Sequence, residues 1–135
     1  MPRFRAIVSI GLLGMSLAAV DIWAQSKRLD YDTYCAMNLE TKKKVFVDVS
    51  PENRAELVRT QIQRWLDKNR SRLSADQIKV MEDNIAFVKA DLYKFPRKES
   101  DLDQAKRLEQ RTLAVMTRED MGEALTIYGA CIPKG

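Results

Sequence analysis

The 135-residue chain contains no histidine and only two cysteines. Without His it lacks the usual general base near neutral pH and a common metal ligand. The two cysteines do not form a Cys-x-x-Cys pair, which argues against a dithiol redox centre. The chain carries no Gly-rich phosphate loop, no zinc-ligand spacing and no calcium-loop pattern. One apolar run lies near the N-terminus and no second long run follows, which excludes a protein with several membrane spans. A net charge of +4 from 23 basic and 19 acidic residues is an ordinary solubility charge, not a nucleic-acid signature.

What is present first is an export pattern. A basic stretch with Arg3 and Arg5 precedes an apolar run from Ala6 to Val20, which Asp21 ends. That order reads as a secretory signal. The run is fifteen residues long, short of the roughly 20 a membrane helix needs. An uncleaved anchor is the alternative. A cut after Ala24 is preferred, although Ser16-Leu17-Ala18 inside the run fits the small-x-small rule better. Cys35 is too far downstream for lipid attachment. The organisation expected is a signal peptide over 1–24, an irregular segment over 25–38 and one helical domain over 39–135. The protein is then periplasmic or secreted. Its exported part keeps 21 basic and 18 acidic side chains, and about 110 residues suit one domain with a modest core.

In an exported chain two cysteines usually pair. Cys35 and Cys131 enclose 95 residues, so their bond would staple both ends to the body. In the chain-entropy account a loop of about 100 residues gives roughly 4.7 kcal/mol.

Apolar spacing then predicts helices. Leu39 to Val49 is ambiguous between strand and helix; helix is preferred because a lone strand has no partner. Ser50-Pro51 opens a long helix, with Ser50 as cap and Pro51 in the first turn. Ala55, Val58, Ile62, Trp65 and Leu66 form its inner stripe, and it ends near Arg70. Ser74 and Gln77 form a capping box, followed by Ile78, Met81, Ile85, Val88 and Leu92 up to Pro96. Ser100 with Asp103 is a weaker cap for Leu102, Leu108, Thr112, Val115 and Met116. Thr117 with Asp120 caps a last helix, which Gly129 closes. The fold expected is all-α: a small single-domain helical bundle of four to five helices, stapled by one disulfide.

Candidate sites are few. Trp65, Met81, Met116 and Met121 read as core, with a ligand platform at Trp65 or a peptide groove at the methionines as the alternative. Asp32, Asp48, Asp67 and Glu109 lack a partner at catalytic spacing. Glu119 and Glu123 share a helix face, but a metal there would need further ligands. Ser50, Ser74 and Ser100 serve better as caps than as nucleophiles. No catalytic residue, metal ligand or cofactor is therefore expected. The distinctive feature is basic: Lys42, Lys43 and Lys44, with Arg54, Arg64 and Lys68 on the long helix, form a possible interaction face for an acidic protein or an anionic envelope surface. An ordinary solvated face is the alternative.

Two resemblances follow from these residues. Lys43 to Phe46, Val49-Ser50-Pro51-Glu52, Leu57 to Leu66, Leu73 to Gln77, Asp91-Leu92-Tyr93, Leu108-Glu109, Met116 to Met121 and Tyr128-Gly129 resemble the bacteriocin fulvocin C-related proteins. That likeness implies a relation to a bacteriocin and brings no catalytic residues. Leu73-Ser74-Ala75-Asp76-Gln77 resembles the Leu-Thr-x-x-Gln motif of periplasmic helical chaperones of the Spy and CpxP type, which carry two copies where this chain has one. The function expected is a non-enzymatic exported protein that binds a protein of the envelope or exterior. It has no nucleic-acid partner and no stable membrane insertion after signal cleavage. A chaperone-like holdase or an enzyme with an atypical carboxylate site are the alternatives. A thiol count on unfolded, unreduced exported protein should find no free thiol; two free thiols would remove the staple.

Overall fold

In the computed structural model, which describes residues 28–134, Ser50 accepts a hydrogen bond from the Asn53 N–H and Pro51 occupies the first turn of a 19-residue helix. The expected signal peptide and its cleavage site lie outside the described residues. Among the described residues six α-helices follow one another: α1 (Tyr31–Cys35), α2 (Leu39–Asp48), α3 (Pro51–Asn69), α4 (Ala75–Phe87), α5 (Glu99–Val115) and α6 (Arg118–Leu125). Short 3-10 turns occupy Arg70–Arg72 and Ala90–Tyr93. The protein is an all-α, single-domain helical bundle, and Cys35 is bonded to Cys131 with their Cα atoms 5.1 Å apart.

Local chemistry explains most helix starts. Ser74 and Gln77 make both bonds of a capping box, satisfying two N–H groups that the first helical turn leaves unpaired. Thr117 accepts from the Asp120 N–H, and Asn38 does the same for α2 through Thr41. The stretch from Leu39 to Asp48 is thus helical, as preferred.

Four expectations need correction. The segment over 25–38 is not irregular throughout, because Asp30 accepts from the Thr33 N–H and starts α1. α4 stops at Phe87 rather than running on toward Pro96; Val88 turns extended, and the apolar rhythm continues through a separate 3-10 turn. α5 begins at Glu99 after Lys98, with no side-chain cap, so Ser100 lies inside the helix. α6 ends at Leu125, four residues before Gly129.

α3 is the spine. Its Ile62, Trp65 and Leu66 sit in one apolar cluster with Val80, Met81, Leu108 and Ala124 of the later helices and with Met116, which follows α5. Its Leu57 belongs to a second cluster with Tyr31, Tyr34, Cys35, Phe46 and Val49. Val58 packs against both. Met81 and Leu66 are fully buried and Met116 nearly so; each such side chain contributes about 1.5–3 kcal/mol by leaving water. Trp65 is also core, at 2 % exposure. A buried polar link joins α4 to α5: Asn84 Nδ2 donates to Thr112 Oγ1 at 3.0 Å, and Thr112 donates to the Leu108 carbonyl at 2.7 Å.

Replacing both cysteines, Cys35→Ser with Cys131→Ser, should lower stability by about 2–5 kcal/mol while leaving helicity intact. Urea unfolding followed by circular dichroism measures it.

Candidate functional site

The irregular segments that flank the helices are held by side chains donating to backbone carbonyls, and the densest group of such bonds surrounds the disulfide. Gln61 of α3, 2 % exposed, donates through Nε2 to the carbonyls of Thr126 (2.6 Å) and Glu123 (3.2 Å). Its Oε1 accepts from the Tyr31 hydroxyl at 2.8 Å. That hydroxyl also accepts from the Ile132 N–H at 3.3 Å. Arg64 donates to the Ile132 carbonyl at 3.2 Å and to both Asp32 oxygens at 2.6 and 3.1 Å. Lys42 Nζ donates to the Gly129 carbonyl at 3.0 Å. The C-terminal segment is therefore clasped by α1, α2 and α3 as well as by Cys35.

Behind this clasp lies a cleft of about 440 Å³, lined by Trp65, Lys68, Asn69, Glu123, Cys131 and Ile132 among others. It offers the Lys68 ammonium and the Glu123 carboxylate, the latter accepting from Trp65 Nε1 at 3.2 Å. A second concavity of about 800 Å³ runs between α4 and α5. The buried Leu108 and half-buried Phe87 give it an apolar floor, and the exposed Ala86 and Ala114 line it together with the charged Asp83, Arg107 and Arg111. Asp83 accepts from Arg111 at 3.0 Å, so that rim is braced across the two helices.

The expected basic face divides in two. Lys42 is buried at 6 % exposure, with its ammonium 5.9 Å from the Tyr34 ring centroid. Arg54 donates to the carbonyls of Val47 (2.7 Å) and Tyr93 (3.1 Å). The Arg64 guanidinium lies 4.8 Å from the Tyr31 ring centroid and its side chain is 14 % exposed. As members of a free basic face these three are a correction: carbonyls and rings inside the molecule use their donors. Lys43, Lys44 and Lys68 are exposed, and Lys68 lines the cleft beside the C-terminal segment.

The carboxylates singled out earlier are dispersed. Asp32 binds Arg64, Asp67 lies 3.6 Å from Arg70, and Asp48 and Glu109 are exposed. Among the described residues no group of three or more His, Cys, Asp or Glu is placed to hold a metal ion, and no helix is long and apolar enough to cross a membrane. Hydrogen bonds from Arg64 hold the Asp32 carboxyl below its ordinary 3.8; Arg72 does the same for Asp120, and Lys79 then Arg111 for Asp83. A carboxyl held low in the fold stabilises it above the ordinary value. That contribution is lost as pH falls through the folded value. Burial pushes the Tyr34 hydroxyl up, so the neutral phenol favours the fold until the pH rises past the ordinary tyrosine range.

Sequence reasoning missed Gln61 and Asn53 as structural donors. Asn53 accepts from the Leu29 N–H at 2.8 Å and donates to the Leu29 carbonyl at 2.9 Å. Their helical positions, one turn apart from apolar neighbours on the buried side, were the available signal. The motif likened to the chaperones also has a local role: Gln77 caps Ser74 and donates to the Val115 carbonyl at 2.9 Å.

The chain matches no protein-family model, no curated protein and no solved structure. Both family resemblances therefore rest on the quoted residues alone.

Adjacent lysines separate structure from surface. Lys42→Ala should cost about 1–3 kcal/mol, because the Gly129 carbonyl loses a charged donor. Lys43→Ala should stay within about 0.5 kcal/mol. Thermal or urea unfolding of the pair checks this, and equal effects would contradict the clasp.

Proposed function

We propose that this is an exported, non-enzymatic helical protein that binds another protein in the cell envelope or outside the cell. Binding is supported by one observation above the rest: the open α4–α5 groove, with Phe87 and Leu108 in its floor and Asp83, Arg107 and Arg111 at its rim. An apolar floor with a charged border is the arrangement that takes the apolar side of a partner segment while the rim sets its register.

Export is supported by the basic, apolar and small-residue order of residues 1–24, together with the Cys35–Cys131 bond. Structural disulfides persist in oxidising compartments and are rare where thiols are kept reduced. The non-enzymatic reading is supported by how the polar side chains are occupied. Gln61, Arg64, Asp32 and Glu123 are all engaged in holding segments together.

The test uses the full chain expressed in a bacterial host, with a photo-crosslinking residue in place of Ala86 or Ala114. The exported form should begin at Gln25, and illumination should give one discrete protein adduct at both positions. Ala114→Arg should abolish the adduct without changing thermal stability. A ladder of many adducts would instead favour a holdase. A chain retained unprocessed in the cytoplasm would defeat the export reading, and no adduct at either position would defeat the groove as the binding surface.

A further inference from the structure

Among the described residues five large apolar side chains are exposed; Leu102 and Val115 lie on α5, and the three most exposed, Leu39, Val47 and Phe95, lie on α2 and on the loop beside it. Leu39, Lys43 and Val47 recur every fourth residue of α2, and Lys44 lies three before Val47, so they flank one side of that helix. Leu39 is 53 % exposed and Val47 60 %. Phe95, in the loop between the 3-10 turn Ala90–Tyr93 and α5, is 80 % exposed, more than any other large apolar side chain among the described residues. Lys94, Arg97 and Lys98 surround it in sequence, and the Arg97 guanidinium lies 5.1 Å from the Phe95 ring centroid.

The fold holds these two elements side by side. The Arg54 guanidinium bonds the carbonyl of Val47 with one nitrogen and that of Tyr93 with the other. Phe46 and Tyr93 meet edge to face at 5.9 Å. Both terminal nitrogens of Arg54 thus set Val47 beside the loop that carries Phe95.

We infer that this part of the protein docks reversibly on the surface of an anionic phospholipid bilayer. Phe95 and Val47 would enter the headgroup boundary, and Lys43, Lys44 and Arg97 would meet lipid phosphates. Lys43, Lys44 and Arg97 make no ion pair with a described residue, whereas Lys94 and Lys98 have only loose ones, 3.5 to 3.8 Å from Asp91 and Glu52. Glu40 and Asp48 temper the charge of α2, so the contact is weak and depends on both the apolar tips and the cations.

The shape favours lipid over an acidic protein. Leu39, Val47 and Phe95 are each more than half exposed, and none of them lines the clefts described above. A projecting ring bordered by cations needs a partner that yields around it, as the boundary of a bilayer does. This contact is separate from the α4–α5 groove, so its failure leaves the protein-partner reading intact.

The test is vesicle co-sedimentation of the full chain, purified in the form the cell produces. Vesicles of phosphatidylcholine set the baseline, and vesicles of phosphatidylcholine with phosphatidylglycerol are the probe. Binding above the baseline is expected, and salt should weaken it. Phe95→Ala should reduce that excess about tenfold, and Lys43→Ala with Lys44→Ala about fivefold for each charge. Lys106→Ala with Arg118→Ala should leave it unchanged. Phe95→Trp reports insertion independently, through a blue shift of its emission with the anionic vesicles alone. Thermal unfolding establishes that each variant is folded. Equal binding to both vesicles, no blue shift, or equal losses from the Lys106 and Arg118 pair would overturn the proposal. So would retention on immobilised polyglutamate that Phe95→Ala does not reduce, in a protein that ignores the vesicles; that result would assign the patch to an acidic protein.

Discussion

The bundle depends on polar side chains of one helix capturing carbonyls in irregular segments and at the ends of neighbouring helical turns, where helix hydrogen bonds run out. α3 does this along its length. Asn53 closes on Leu29, Arg54 on Val47 and Tyr93, Arg59 on Val88, Gln61 on Thr126 and Arg64 on Ile132. A buried carbonyl without a donor costs more than the net gain of an ordinary hydrogen bond. Each capture therefore fixes where a segment can lie. The apolar side of α3 supplies the core, and its polar side determines the path of the chain around that core.

This division explains which features were readable. Ser50, Ser74 and Thr117 announced their helices because a cap and its N–H partner lie three residues apart, within reach of any local pattern. The staple was readable because two cysteines allow only one intramolecular pairing. α1 was hidden: five residues are too few for periodicity to register. α4 was overrun because Val88 packs against the same core after the helix has ended, so apolar spacing and helical backbone parted company at Phe87.

The basic residues were legible as charges but not as contacts. Lys42, Lys43 and Lys44 are indistinguishable in a charge run. They separate only when α2 turns one of them toward Gly129, 87 residues away. The helical phase of Phe46 contains that information, since Lys42 lies four residues before it and shares its buried side. What sequence could not supply was the carbonyl waiting there. The α4–α5 groove was equally out of reach, because its floor joins residues of two helices whose separation depends on the whole packing.

The covalent link between Cys35 and Cys131 also decides how the molecule carries load. The two Cα atoms are 5.1 Å apart although 96 positions separate them along the chain. Tension applied to the two ends passes across that bond rather than through the helices it encloses. With the disulfide in place, α2 to α6 lie outside the force path. Pulling would strip away only what lies before Cys35 and after Cys131. The bond thus gives the bundle mechanical shelter that its hydrogen bonds alone could not provide.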